Sequence, residues 1–199
     1  MVATDRAAAA RRGAAPFPFL NTRSSNMVDV EHIRHGRAHA LGGGVVAGVI
    51  GGIVIALVML VAAQLKEQDL WPSLKGAAAP FLGERAMQPG FDGRAVALGV
   101  VCHFAVSIVW GVLFAAIFYG LSRGATVAAG VLWGIIVWLG MFYLVLPIAG
   151  LSRMASGEPI TMAILSHVIF GLAVAIGFLP YQHPHAHAAP PTTHAPAPL

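Results

Sequence analysis

The sequence predicts an all-α, polytopic membrane protein with four transmembrane helices. Of its 199 residues, 57% are hydrophobic and only 10% are charged, whereas soluble domains carry about 25% charged residues. Four apolar stretches contain no Asp, Glu, Lys or Arg, and each reaches the roughly 20 residues needed to cross a hydrocarbon core of about 30 Å. These stretches must be helical because lipid offers no partners to free backbone N–H and C=O groups.

We expect spans 1 to 4 at residues 42–65, 95–119, 125–146 and 160–179. Only Gly120 to Gly124 separate spans 2 and 3, so these two helices must run antiparallel beside each other. Pro147 is expected to end span 3, Pro159 to lie in the first turn of span 4, and Pro180 to stop span 4.

The two ends of the chain differ from the spans in composition. Residues 1–41 contain six arginines and no sustained apolar period, which predicts a basic arm that is flexible or loosely helical, with Met27 as an alternative start. Residues 181–199 form a Pro/Ala/His-rich tail that is predicted to be disordered. In this tail His183, His185 and His187 are candidate metal ligands, but nothing rigid holds their rings together, which favours a solvated tail.

The connection between spans 1 and 2, residues 66–94, is long enough to fold by itself. Its apolar residues lie beside Lys75 and Arg85, which fits a short helix at the headgroup level and equally an irregular loop with apolar anchors. Seven of the 12 basic residues fall on the side of both termini and five on the other. Counting only the basic residues near the spans gives four on the side of the termini against five on the other side, so the preference for cytoplasmic termini is slight. The expected location is the cell membrane.

Composition and motifs argue against several functions. The basic residues are scattered between apolar blocks, which excludes a nucleic-acid-binding surface. Cys102 is the single cysteine, so no intramolecular disulfide can form. The sequence has no nucleophile–base–acid set, metal-ligand motif or nucleotide loop, because Gly42-Gly43-Gly44 opens a transmembrane helix and does not follow a strand. We therefore do not expect an enzyme.

The spans pair into two similar hairpins. Residues 47–60 of span 1 (AGVIGGIVIALVML) align with 129–142 of span 3 (AGVLWGIIVWLGMF) at seven identities in 14 positions. Spans 2 and 4 then align as well, with His103 opposite His167. This pattern predicts an internal duplication whose halves are related by a two-fold axis along the membrane normal, with shared low-complexity composition as the alternative.

Small residues recur at four-residue spacing and predict close helix contacts. In lipid, helices associate through van der Waals packing that small residues permit. The expected packing positions are Gly44, Gly48, Gly52, Gly99, Gly111, Gly130, Gly134 and Gly171. We expect most of these contacts inside the bundle, with a homodimer or another membrane subunit as the alternative partner.

Two histidines are the main candidate functional residues. His103 and His167 share helix faces with small residues, so both rings should point into the bundle, roughly 10–12 Å below one membrane face. Cys102, Ser107 and Ser166 lie near them in sequence and complete the candidate site. The rings should be neutral, because a lone charge there would cost about several kcal/mol. Structural hydrogen bonding, ligand, metal or proton handling, and b-type haem bound by both rings remain open.

Several short motifs together resemble one family. They are the glycine-rich span 1, the Cys102-His103 step, the turn Leu146 to Gly150, and the Ser166-His167 step followed by Gly171. This pattern is similar to an uncharacterised bacterial family of small four-helix integral membrane proteins with a histidine in spans 2 and 4, over about Gly42 to Tyr181. The resemblance implies the fold and a bacterial inner membrane, and it implies no activity.

The function predicted from these features is that of a non-catalytic accessory or structural subunit of a membrane assembly. The lack of charge inside the spans favours it, because transporters and channels usually place ionisable residues there. A small transporter or channel, or a haem- or metal-binding membrane protein that uses His103 and His167, is the alternative.

Overall fold

The computed structural model describes residues 22–66, 68–152 and 159–182, with side chains from residue 36 onwards. Within these residues the chain is helical and contains no strand. The four stretches that are long and apolar enough to cross a membrane are Gly36–Leu65, Gly93–Phe118, Arg123–Ile148 and Ile160–Tyr181. They are spans 1 to 4 in chain order, so the predicted all-α fold with four transmembrane helices is confirmed.

The helix of span 1 is longer than the span itself and begins at Thr22. Residues 22–41 of the predicted arm are therefore helical. Residues 1–21 and the tail 183–199, with its three candidate histidines, lie outside the described residues. The chain divides into two compact units, Met1–Gly36 and Arg37–Leu199, and the helix contacts described below all belong to the second unit.

Side-chain caps set the starts of spans 2 and 3. The Asp92 carboxylate accepts hydrogen bonds from the backbone N–H groups of Arg94 and Ala95, at 3.1 and 3.2 Å. The hydroxyl of Ser122 accepts one from Ala125 at 3.4 Å. Both residues supply the acceptor that the first turn of a helix lacks, which is why each helix starts within a few residues of the predicted position.

Span 3 does not end at Pro147 as predicted. Its α-helix Arg123–Gly140 continues into a π-helical turn, Met141–Val145, and a short α-helix, Leu146–Ile148. In the π turn the N–H of Leu146 donates to the carbonyl of Met141, five residues back. Pro147 then lies in the first turn of the short helix, where its missing N–H is not needed. The change of register lets the helix continue past the proline.

Each hairpin is held by a close crossing at small residues. A Cβ atom added to Gly48 of span 1 would lie 2.6 Å from the carbonyl oxygen of Ser107 in span 2. A Cβ atom added to Gly130 of span 3 would lie 2.8 Å from the carbonyl oxygen of Gly171 in span 4. These two contacts occupy aligned positions of the two hairpins. The duplication stays a prediction, and this equivalence is what it requires.

The eight glycines predicted to pack all lie where an added Cβ would meet other atoms at 3.1 Å or closer: Gly44, Gly48, Gly52, Gly99, Gly111, Gly130, Gly134 and Gly171. Gly99 differs from the others in its partner. It faces the backbone of Leu74 and Lys75 in the first connection and does not contact another span there. The connection folds back against span 2, and only a glycine leaves room for its backbone.

The first connection is built of short helical turns. They are Trp71–Lys75, Gly76–Ala78, Ala79–Leu82 and Gly83–Met87. Lys75 is only 1% exposed, and its ammonium donates to the backbone carbonyls of Gln88 and Gly90. Arg85 pairs with Asp92 at 2.8 Å. The segment is therefore helical in short turns, and its position at the headgroup level stays a prediction. Lys75 is buried and does not reach towards water.

The apolar core lies in one half of the bundle. Phe114 and Phe178 are fully buried and meet edge to face at 5.9 Å, and Trp133 packs edge-on against Phe114 at 5.9 Å. All three lie towards the turn between spans 2 and 3, which we call the turn face. The opposite side, which carries the first connection, is the connection face. Towards the connection face the helices leave a cavity.

Candidate functional site

A cavity of about 880 Å³ lies between the two hairpins in the half of the bundle nearer the connection face. All four spans and the first connection contribute to its wall. Apolar side chains dominate that wall, among them Met59, Trp110, Met141 and Phe170. His103, Ser107 and His167 also line it, so three of the five candidate site residues come together at one cavity.

The ring of His103 is held by a backbone carbonyl of the neighbouring helix. Its Nε2 lies 2.9 Å from the carbonyl oxygen of Gly52 in span 1. A carbonyl oxygen only accepts hydrogen bonds, so Nε2 carries the proton and donates it. Gly52 makes this contact feasible, because a side chain there would meet the ring of Phe104 at 3.0 Å. In the neutral ring, the lone pair is therefore on Nδ1.

His167 is held differently, although it aligns with His103. Its Nδ1 lies 2.7 Å from the carbonyl oxygen of Ala163, four residues back in the same helix. Nδ1 therefore donates, and in the neutral ring the lone pair is on Nε2. The ring also meets Phe142 edge to face at 5.8 Å. Each histidine thus has one nitrogen oriented by a backbone carbonyl, and this contact fixes the tautomer of the neutral ring.

Ser107 supplies a hydroxyl to the same wall. It is 4% exposed and lies four residues after His103 on span 2, and residues at this spacing share a helix face. Its hydroxyl makes no hydrogen bond within the part of the chain that the structure describes. Ser166, by contrast, donates to the carbonyl of Ala163 at 3.0 Å. The Ser107 hydroxyl is therefore available to a molecule in the cavity.

Polar groups of the first connection lie at the mouth of the cavity. Lys66, Gln68, Asp69 and Ser73 line this end. The carboxylate of Asp69 accepts a hydrogen bond from the N–H of Gly90, and this bond lowers the pKa of Asp69, with a smaller contribution from the charge of Lys75. This hydrogen bond ties the two ends of the connection to each other, and Asp69 also lines the cavity.

Two candidate residues do not join this site. Cys102, a half-buried free thiol, and Ser166 are both absent from the cavity wall. A helical side chain next to an inward-facing residue points about 100° away, which accounts for this outcome. In the described residues no three His, Cys, Asp or Glu side chains group to hold a metal ion. Metal or b-type haem binding by His103 and His167 stays a prediction.

Sequence reasoning missed the part of the wall that the first connection and span 3 supply. Pro72 and Gly76 line the cavity from the connection. Met141 and Val145 line it from the π turn of span 3. The only available signal was Pro147, because a proline inside an apolar span indicates a local change in helix geometry.

The fold and the cavity define a small multi-pass membrane protein with a mainly apolar cavity between its helices. The chain belongs to the family of unknown function DUF6789, whose sequence profile matches residues 38–189. This match agrees with the predicted resemblance to an uncharacterised family. No curated protein and no solved structure matches the chain.

Proposed function

We propose that this protein binds a small, membrane-soluble molecule in the cavity between its two hairpins. The observation that carries the proposal is that His103, Ser107 and His167, from two different hairpins, line the same cavity. Ligand sites in proteins are typically concave, mainly apolar, and equipped with a few polar groups that orient the ligand. The volume of about 880 Å³ lies within the usual range for such sites, about 300–1,000 Å³.

The chemistry of the wall favours an uncharged molecule. Lys66 and Asp69 are at the mouth, and the deeper wall contains apolar side chains, two imidazoles and one hydroxyl. A charge placed among these groups would lose its hydration without gaining a counter-ion. The cavity therefore fits a lipophilic ligand with a small polar group, and it does not fit an inorganic ion in transit.

The test is extraction of the purified protein with organic solvent, followed by mass spectrometry of the extract. Val106, on the wall of the cavity, is changed to Trp so that the indole fills the space. Val109→Trp is the control, because Val109 is 57% exposed on the same helix and does not line the cavity. We expect a compound that co-purifies with the wild type and the control and is lost from Val106→Trp. Identical extracts from all three proteins would contradict the proposal.

A role as an accessory subunit is a second candidate. An apolar groove of about 430 Å³ runs along the outer side of span 1, lined by Leu57, Val61 and Leu65 and by Met162 of span 4. Such a groove suits either a lipid chain or a helix of another membrane protein. Photo-crosslinking in membranes from a benzophenone maleimide attached to Leu57→Cys, in a Cys102→Ala background, tests it. A discrete crosslinked protein would support the subunit role, and crosslinks to lipid alone would contradict it.

For the location, we propose a bacterial inner membrane with both termini in the cytoplasm. The support is the family resemblance and the small excess of basic residues on the side of the termini. In this orientation the cavity opens to the outer side of the membrane. Reporter fusions at each terminus test the orientation, and an outside location of either terminus would contradict it.

A further inference from the structure

We infer that the molecule bound in the cavity carries a hydroxyl group, as an alcohol or a phenol, and that His103 and Ser107 recognise this group together. The inference rests on the proposed ligand binding and adds the chemical class of the ligand. The inference follows from the hydrogen-bond acceptor of His103 and the donor of Ser107 that no described residue uses.

His103 offers only an acceptor to the cavity. Because Nε2 donates its proton to the Gly52 carbonyl at 2.9 Å, Nδ1 of the neutral ring holds a lone pair. Nδ1 makes no hydrogen bond to any residue that the structure describes. A ligand group that meets this nitrogen favourably must donate a hydrogen.

Ser107 offers a donor one helical turn away. Side chains four residues apart on a helix have their Cβ atoms roughly 5–6 Å from each other, so one small polar group fits between the His103 ring and the Ser107 hydroxyl. Ser107 lines the cavity, and its hydroxyl makes no hydrogen bond to the residues that the structure describes. A ligand atom that accepts its hydrogen therefore gains affinity.

A hydroxyl group satisfies both residues at once. It donates its hydrogen to Nδ1 of His103 and accepts the hydrogen of Ser107 through its own oxygen. A ketone or an ether can accept a hydrogen bond from Ser107, but it has no hydrogen to donate to Nδ1 of His103. The lone pair on its oxygen would then face the lone pair on Nδ1, which is unfavourable. An amine would be protonated at neutral pH and would bring a charge into the apolar cavity. The site thus selects a hydroxyl over a carbonyl, an ether or an ammonium group.

The apolar part of the wall does not specify whether the rest of the ligand is a ring system or an alkyl chain. Trp110, Met141 and Phe170 offer flat or flexible surfaces that accept rings and chains alike. The test therefore uses two pairs of probes that differ only at the oxygen. These are 1-naphthol with 1-methoxynaphthalene, and 1-dodecanol with its methyl ether.

Binding is measured by titration calorimetry on the full-length protein in lipid nanodiscs, with empty nanodiscs as the blank. Ser107→Ala removes the hydroxyl and keeps the Cβ that packs near Gly52. Ser166→Ala is the matched control, because Ser166 bonds within its own helix and does not line the cavity. Val106→Trp fills the cavity. Melting temperatures of all variants show that each protein is folded.

We expect at least one alcohol to bind the wild type about tenfold or more tightly than its ether, a difference of about 1.4 kcal/mol. Ser107→Ala should reduce this ratio about fivefold, Ser166→Ala should leave it unchanged, and Val106→Trp should abolish binding of both probes. Equal affinities for alcohol and ether that Val106→Trp abolishes would overturn the hydroxyl inference and leave the proposed cavity binding intact. Absence of binding, or binding that Val106→Trp does not change, would overturn both.

Discussion

The amide of Gln182 donates a hydrogen bond to the hydroxyl of Thr126 at 2.9 Å, although the two residues are 56 positions apart in the chain. The same amide donates to the carbonyl of Phe118 at 2.9 Å, and its oxygen accepts from the N–H of Gly120 at 2.8 Å. Thr126 in turn donates to the carbonyl of Ser122. One buried side chain at the end of span 4 therefore fixes the turn that joins the two hairpins.

We predict that Gln182→Ala lowers the free energy of unfolding by about 1–3 kcal/mol, because it leaves buried polar groups of the turn without partners. Gln64→Ala is the control, since Gln64 is exposed. Thermal melting of the purified proteins in detergent measures the difference. If the two variants melt at the same temperature, the amide does not hold the turn.

Among the glycines of span 1, we predict a strong dependence on position. Gly48→Ala should destabilise the bundle by about 1–3 kcal/mol, because the new methyl group would overlap backbone atoms of span 2 at 2.6–2.7 Å. Gly42→Ala should be neutral or stabilising, because nothing lies within 4 Å of its added Cβ. Thermal melting in detergent measures both variants. If Gly48→Ala and Gly42→Ala lower the melting temperature equally, the close crossing of spans 1 and 2 is not at Gly48.

Lys75 is predicted to hold the first connection in place. Lys75→Met keeps the length of the side chain but removes the bonds to the carbonyls of Gln88 and Gly90. We expect faster amide hydrogen exchange across residues 76–90 and unchanged exchange in the spans. Lys66→Met is the control, because Lys66 is exposed. Unchanged exchange in Lys75→Met would mean that packing against Gly99 alone orders the segment.

The connection should also respond to acid. Hydrogen bonds from Gly90 to Asp69 and from Ala95 and Arg85 to Asp92 lower the pKa of both carboxyl groups below the ordinary 3.8. A lowered pKa in the folded state stabilises that state above about pH 4, and this contribution is lost as the pH falls through the lowered pKa values. The protection factors of residues 69–92, which correct the exchange rates for the intrinsic effect of pH, should therefore fall below pH 4 in the wild type. Asp69→Asn should show lower protection already at pH 7, and protection factors of the wild type that do not change with pH would contradict the prediction.

The spans were predictable because hydropathy and charge report directly on the membrane. Stretches without charge gave four helices close to those observed, whereas the caps Asp92 and Ser122 were recognised only in the structure. The π turn at Met141–Val145 was not predictable, because one extra residue in a helical turn leaves the hydropathy unchanged. The burial of Lys75 was not predictable either, since it depends on two carbonyls that the fold brings near the ammonium group.

The candidate site was predictable only in part. The spacing of small residues predicted that His103 and His167 point into the bundle, and in the structure both line one cavity together with Ser107. The spacing gave no indication that His103 bonds across to Gly52 whereas His167 bonds within its own helix. That difference depends on how closely each pair of helices crosses, and a Cβ on Gly134 would run into the carbonyl of His167 itself. Sequence periodicity contains no information about such distances.

The uneven placement of the core has a consequence for how the bilayer acts on this protein. The aromatic side chains brace the bundle near the turn face, whereas the cavity leaves the helices less supported towards the connection face. We therefore expect the bundle to resist lateral pressure from the lipid chains more strongly near the turn face than near the connection face. We also expect that compression of the leaflet at the connection face would reduce the volume of the cavity more than compression of the opposite leaflet would.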